Sequence, residues 1–306
     1  MNPSIEKIVH AIGDILLGKE QQVKLALACL FARGHLLLED VPGMGKTTLA
    51  QTLARVMGLQ FERIQFTNDL LPADVLGVSV YDRESGKFDF HPGPVFTQVL
   101  LADEINRTTP KTQSALLEAM EERQVTVEGQ TRSLPAPFFV IATQNPVNQV
   151  GTHALPESQL DRFLMRMSLG YPSHESEREL LRGVDPRARL AALKPLLDLD
   201  KLKLIQAKVD TVKATDQLLD YVQRLVAFTR SDGKFSLGLS PRGSLALLRS
   251  AKAWAVIHNR AHVVPEDIQA VLPAVVGHRV GDLYATQGEH GDGSLSAHLL
   301  SHVDVL

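Results

Sequence analysis

Pro42-Gly43-Met44-Gly45-Lys46-Thr47-Thr48 carries the residue types that hold a phosphate chain. Glycines let backbone N–H groups curl around phosphate oxygens, and a helix starting here turns its positive end toward the same anion. Lys46 is placed to reach the β- and γ-phosphates of a nucleoside triphosphate, and the Thr47 hydroxyl to ligate Mg²⁺. The pattern is irregular at one place, because the glycine expected five residues before Gly45 is Asp40. Asp tolerates a left-handed backbone better than most residues, which would let the loop form. The plain alternative is a glycine turn leading into a helix.

A second group makes the phosphate reading the stronger one. Val99-Leu100-Leu101-Ala102 is a short apolar run that ends in Asp103-Glu104. Such a run reads as a strand buried on both faces, and its C-terminal end lies at the crevice where open α/β sheets bind ligands. Asp103 is suited to holding Mg²⁺, directly or through water. Glu104 is suited to orienting or deprotonating an attacking water.

The elements that must position these groups alternate. A strand at 35–38 precedes the loop, and a helix with the stripe Leu49, Leu53, Val56, Met57 follows it, closed by Gly58. Phe61–Phe66, Val99–Asp103, Phe138–Ala142 and Arg166–Leu169 read as further strands, and Thr109-Pro110 as the N-cap and first residue of a helix that buries Leu116, Leu117 and Met120. Two helices around Gly18 come first. The fold class is therefore α/β, a parallel sheet with helices on both faces. Two alternating pairs interrupt it. Val78–Asp82 with Lys87–His91 predicts a hairpin in which Val78 and Val80 share a face with Phe88 and Phe90, and Gln124–Val127 with Gln130–Leu134 predicts a second. Either could be surface decoration. Beyond Tyr171-Pro172 the pattern is helical. It divides the chain into an α/β nucleotide-binding domain at 1–172, a small all-helical domain at 173–285 and a mobile tail at 286–306 rich in Gly, Ser and charge.

Bulk properties narrow the class. The 306 residues, 44% apolar and 22% charged, suit a protein with two cores. A net charge of −3 argues against a general nucleic-acid or anionic-membrane surface. No apolar run approaches spanning length, and Met1–Glu6 lacks a secretory pattern, so a cytoplasmic location without membrane insertion is expected. Cys29, the one cysteine, allows no internal disulfide. His258/His262 and His298/His302 have helical ligand spacing but no Glu after the first His and no obvious third ligand, so they are not read as a metal centre.

Taken together, these motifs resemble those of the MoxR-type AAA+ ATPases over roughly residues 5–280. The resemblance extends to Phe66–Asp74, Asp103-Glu104-Ile105-Asn106-Arg107, Ala115–Arg123, Ala142-Thr143-Gln144-Asn145-Pro146 and Gln159-Leu160-Asp161-Arg162-Phe163. It implies a P-loop AAA+ domain followed by a helical lid, ATP and Mg²⁺ as cofactors, and hydrolysis to ADP and phosphate. Asn145 matches sensor 1, where a neutral amide helps position the attacking water; the alternative is an Asn opening a turn before Pro146. Arg162 matches the arginine finger that reaches a neighbouring subunit, against a local ion pair with Asp161. Arg242, in Leu239-Ser240-Pro241-Arg242-Gly243, matches sensor 2, which contacts phosphate from the start of a lid helix, against a solvated first-turn arginine. Arg107 could also serve the subunit interface. The resemblance further implies a homo-oligomer, usually a hexameric ring, with chaperone-like action on proteins and frequent partnership with von Willebrand factor A domain proteins. The hairpins would then face the pore or the client. A nucleic-acid motor or loader and a slow nucleotide-gated scaffold remain the alternatives. The first has little basic surface behind it, and the intact Asp103-Glu104 pair speaks against the second.

Overall fold

The computed structural model describes residues 1–145, 151–183, 185–281 and 292–305. Helices α1 (Pro3–Gly13) and α2 (Glu20–Phe31) lead into strand β1 (Leu36–Glu39), and α3 (Lys46–Val56) follows the glycine loop. Strand β2 (Phe61–Gln65), the short helix α4 (Pro72–Leu76) and the hairpin β3 (Gly77–Asp82) and β4 (Lys87–Pro92) come next. Then come β5 (Val99–Asp103), α5 (Pro110–Glu122), the second hairpin β6 (Gln124–Val127) and β7 (Gln130–Ser133), β8 (Phe139–Gln144), α6 (Glu157–Leu160) and β9 (Met165–Met167). Helices α7 (His174–Leu181), α8 (Pro186–Ala192), α9 (Leu199–Thr211), α10 (Asp216–Ser231), α11 (Pro241–Ile257), α12 (Pro265–Val276) and α13 (Asp292–His302) complete the chain.

The central sheet has the order β2-β5-β8-β1-β9, and every pairing in it is parallel. Every residue of β5 and β8 is buried, as strands covered on both faces must be. Alternation divides the core in two. Leu36, Leu38, Leu101 and Ile141 face one apolar layer, with α1 to α3 and the C-terminal helices. Leu37, Leu100, Val140 and Ala142 face the other, with α5. Leu116, Leu117 and Met120 are buried there, and Thr109 Oγ1 accepts from the Thr112 N–H to cap α5.

Three expectations change. In the first hairpin Val78 pairs with His91, Val80 with Asp89, Ser79 with Phe90 and Tyr81 with Phe88. Val78 and Val80 therefore share a face with Asp89 and His91, not with Phe88 and Phe90. The turn decides this: the Asp82 carboxylate accepts from the Glu84 and Ser85 N–H groups and Gly86 sits at φ +68°, which closes the hairpin on the Asp82–Lys87 pair. A shift of one residue exchanges every side chain between faces.

The second change concerns the tail. Residues 282–291 lie outside the described residues, but 292–302 form α13, which buries Leu295 and Leu299, with Val303 just beyond it. Its apolar spacing outweighs the polar composition that suggested mobility. The third concerns the helices past residue 172, which also cover the α/β layer. The Arg55 guanidinium on α3 donates to the Ala191 and Leu193 carbonyls at 2.9 and 2.7 Å, and the Leu196 and Leu197 N–H groups donate to the Val56 carbonyl. The sequence pattern showed neither α8 nor α4.

Candidate functional site

The phosphate loop leaves β1 at Glu39 and enters α3 at Lys46. Gly43 and Gly45 adopt φ +88° and +90°, conformations that favour glycine. A Cβ on Gly43 would meet nothing within 4 Å, so the loop is open on that side. The loop is thus shaped as an anion cradle capped by a helix N-terminus. Asp40, by contrast, is not left-handed. Its place is explained by its side chain. The carboxylate accepts from Ser168 Oγ at 2.6 Å, from the Leu169 N–H at 2.5 Å and from the Gly170 N–H at 3.2 Å, which anchors the loop to the segment after β9. Lys19 Nζ donates to the Gly170 and Tyr171 carbonyls of that same segment at 3.0 and 2.6 Å.

Lys46 is buried, and its ammonium donates to the Asp40 and Val41 carbonyls and, at 3.4 Å, to Asn145 Oδ1. Burial lowers its pKa; the nearby Asp40, Asp103 and Glu104 carboxylates oppose the shift. Asn145 Nδ2 in turn donates to Glu104 Oε1 at 2.8 Å. One amide therefore spans the lysine of β1's loop and the glutamate that ends β5. Glu104 has φ +56°, a left-handed backbone that costs a non-glycine residue of order 1–3 kcal/mol and is met most often at active sites. Its N–H donates to Thr143 Oγ1 at 2.8 Å, and Thr143 Oγ1 donates to Asp103 Oδ1 at 2.6 Å. Gln65 and Arg107 hold the other Glu104 oxygen at 2.9 and 3.1 Å.

Sequence reasoning assigned no role to Thr143, Gln65 or Arg63. Arg63 Nη2 donates to Asp103 Oδ2 at 2.7 Å. The signal lay in the strand order: once β2 is known to neighbour β5 with Gln65 opposite Asp103, residues 63 and 65 must flank that carboxylate. Thr47 and Thr48 open onto a cleft of about 890 Å³ that runs along α3 between β2 and α8 and also exposes Arg63. Pro42, Gly43, Met44 and Gly45 complete the loop, with Met44 packed on the apolar core.

Arg162 and Arg242 do not join this group. Both grip Glu121 near the end of α5, Arg162 Nη1 at 3.2 Å and Arg242 Nη2 at 2.9 Å. Arg162 also donates to the Leu117 carbonyl, and Asp161 pairs with Arg279 at 2.7 Å rather than with Arg162. Arg242 does begin a helix, with Ser240 Oγ accepting from the Gly243 N–H at the N-cap. The two arginines stand where β9 begins, whereas the loop leaves β1 at its far end. Because β1 and β9 run parallel, the groups lie at opposite ends of the strands.

Residues 35–165 match the ATPase family associated with various cellular activities (AAA), and residues 227–296 match the AAA lid domain. The chain is 48% identical to the uncharacterized protein YeaC of Bacillus subtilis, covering 92% of this chain and 88% of that protein. It is 41% identical to chaperone MoxR1 of Mycobacterium tuberculosis, over 90% and 75% of the two chains. The chain belongs to the MoxR-type AAA+ ATPases. A crystal structure of a Cytophaga hutchinsonii protein designated an ATPase superposes with a TM-score of 0.86 at 36% identity, covering 99% of this chain and 94% of that one. The fold is accordingly an AAA domain followed by a helical lid, and the chain is an ATPase of a nucleotide-binding family. Among the described residues no helix is long and apolar enough to cross a membrane.

Proposed function

We propose that this MoxR-type ATPase is a chaperone-like remodeller of partner proteins, assembled as a ring, most simply a hexamer, in which each nucleotide lies between two copies. The observation that carries this reading is the separation of the two groups. Lys46, Asp103, Glu104 and Asn145 gather at the C-terminal ends of the strands, and Arg162 and Arg242 share Glu121 at the other end. At about 3.3 Å per residue, the four residues of β1 alone place some 13 Å between them. Arg162 and Arg242 of one copy would therefore serve the nucleotide of the next.

In the site so completed, Gly43, Gly45 and the start of α3 bind the phosphates, and Lys46 exchanges its carbonyl partners for them. The donor set fits a hard cation: Thr47 and Asp103 would hold Mg²⁺, which when bound offsets charge on the phosphate oxygens. Glu104 orients and deprotonates the attacking water, Asn145 fixes Glu104, and the partner arginines stabilise the charge that develops on the transferred phosphoryl group.

The client reading rests on the hairpins. Arg132 of the second lies over the Phe90 ring of the first at 3.8 Å, which joins the two hairpins. At the tip Tyr81 is 52% and Phe88 68% exposed, with their rings 5.3 Å apart. An apolar pair whose flanking Arg83 and Lys87 are balanced by Asp82 and Glu84 suits a protein surface better than a phosphodiester backbone, which would call for an excess of cations. The partner to test is a von Willebrand factor A domain protein.

Mixed assemblies test the ring. Arg162→Ala alone should lose turnover by a factor on the order of 10³ while keeping ATP affinity. Adding Glu104→Gln subunits should restore part of it, because those lend an intact arginine to a site with an intact glutamate. Absence of rescue in assemblies shown to mix would give Arg162 a role within its own chain.

A further inference from the structure

We propose that the cleft at the arginine end of the sheet contains a second phosphate-binding pocket, built by Arg33, Arg123 and Arg249. The cleft has a volume of about 250 Å³ and is lined by Arg33, Arg123, Arg162, Arg242, Arg249 and Arg279 against two acids, Glu121 and Asp161. Both acids are already taken: Glu121 by Arg162 and Arg242, and Asp161 by Arg279. Arg33 is paired with Asp210 at 2.8 Å. Arg123, which is exposed, and Arg249 form no ion pair among the described residues, although the Asp210 carboxylate attracts Arg249. Arg249 is half-buried on α11, two turns beyond Arg242.

Six guanidiniums thus gather around three carboxylates, Glu121, Asp161 and Asp210, which leaves an excess of positive charge at the cleft. Burial, reinforced by the neighbouring Arg33 and Arg123 and opposed by Asp210, lowers the Arg249 pKa. Arg33 and Arg123 stand at the left-handed turns that close α2 and α5, and Arg123 Nη2 donates to the Arg33 carbonyl at 3.3 Å, which brings the two together at one side of the cleft. A second cleft, about 240 Å³, meets the first at Arg33, Gly34 and Arg123 and adds Lys203. All this occurs in a chain whose net charge is −3. The guanidinium fork matches phosphoryl oxygens in pairs, so the ligand class is a phosphoryl oxyanion. It could come from the nucleotide of a neighbouring copy or from a free oligophosphate.

The inference does not depend on the phosphate loop, and the test separates the two. In the full chain carrying Lys46→Ala, inorganic tripolyphosphate is titrated against thermal melting, with chloride at matched ionic strength as control. A free anion site gives a saturable rise in melting temperature that weakens at least tenfold on adding Arg249→Gln or Arg123→Gln. In a second arm, ATP turnover of the otherwise wild-type assembly is compared with that of Arg249→Gln. A neighbour's nucleotide as ligand gives a turnover loss of at least tenfold with unchanged ATP affinity, partly restored by Glu104→Gln subunits. Either result supports the pocket and identifies its source. Tripolyphosphate binding indifferent to both arginines, together with wild-type turnover in Arg249→Gln, overturns it. Failure of the wild type to bind ATP would instead remove the phosphate-loop reading and leave the first arm standing.

Discussion

Asp40→Gly restores the glycine usual at that place in a phosphate loop and should nonetheless weaken the protein. The Asp40 backbone is not left-handed, so glycine relieves no strain there and adds about 0.5–1 kcal/mol of chain entropy to lose on folding. The carboxylate accepts three hydrogen bonds, from Ser168 Oγ, the Leu169 N–H and the Gly170 N–H, at 2.6, 2.5 and 3.2 Å. Ser168 can turn its hydroxyl and Gly170 can find water, so their losses are small. Leu169 is 1% exposed, and its orphaned N–H costs about 1–3 kcal/mol. The sum is a destabilisation of about 2–4 kcal/mol. Asp40→Asn should lie between, because its single amide oxygen cannot accept from all three donors. Urea denaturation of the two variants reads the difference through the midpoint. ATP affinity should fall far less than in Lys46→Ala, because the backbone carbonyl that holds Lys46 remains. Asp40→Gly within about 0.5 kcal/mol of wild type would refute the anchoring role of the carboxylate.

Lys46→Ala should abolish ATP binding, and Glu104→Gln should bind ATP without turnover; Mg-ATP at about 100 times its dissociation constant should stabilise wild type and Glu104→Gln by about 2.7 kcal/mol in thermal melts, and Lys46→Ala not at all. Stability should fall on acidification through His35. Its ring is buried between the Val140 N–H, which donates to Nδ1 at 3.0 Å, and the Met120 carbonyl, 3.2 Å from Nε2, and burial lowers its pKa from 6.5 to about 4. Between those values the unfolded chain binds the extra proton, so the contribution is whole above pH 6.5 and about 3 kcal/mol is lost on descending to pH 4, with His278 lowered in the same direction by burial. A pH series of urea midpoints that is flat across this window in wild type would contradict it. Shortening the Arg83–Gly86 turn or changing Phe88→Ser should alter stability by no more than about 0.5 kcal/mol while weakening ATPase stimulation by a von Willebrand factor A domain partner. Equal responses in variant and wild type would remove the hairpin from the client surface.

The sequence carried the sheet because β5 and β8 are continuous apolar runs, and it carried the loop because glycine, lysine and threonine types at that spacing serve one chemistry. What stayed hidden depended on which elements become neighbours. Arg63 and Gln65 look like the exposed half of an alternating strand until β2 is set beside Asp103. Asp40 looked like a tolerated exception because its three donors lie about 130 residues further on. The first hairpin misled by one residue because its faces are both part apolar, so only the turn could set the register. The tail's polar composition concealed a helix whose few apolar residues recur at helical spacing.

The placement of the arginines constrains how copies can meet. A two-fold dimer sets one patch against itself. If the Arg162–Arg242 end met its own counterpart, arginines would face arginines and both phosphate loops would stay unserved. If the loop end met its own counterpart, neither nucleotide would gain Arg162 or Arg242. An arginine that completes a neighbour's site therefore needs a head-to-tail contact, with the end where β9 begins set against the end where β1 finishes. Such contacts close into a ring when the rotation between copies divides a full turn, and grow into a filament when it does not. In a closed ring every copy gives its arginines once and receives a pair once. Removing Arg162 from a fraction of the copies should then inactivate the same fraction of sites. Turnover in mixed assemblies should fall in proportion to the share of Arg162→Ala subunits when sites fire independently, and more steeply when they fire in concert. Head-to-tail closure requires a linear or steeper decline together with partial recovery when Glu104→Gln subunits are mixed with Arg162→Ala, because an arginine acting within its own chain gives the same decline and no recovery.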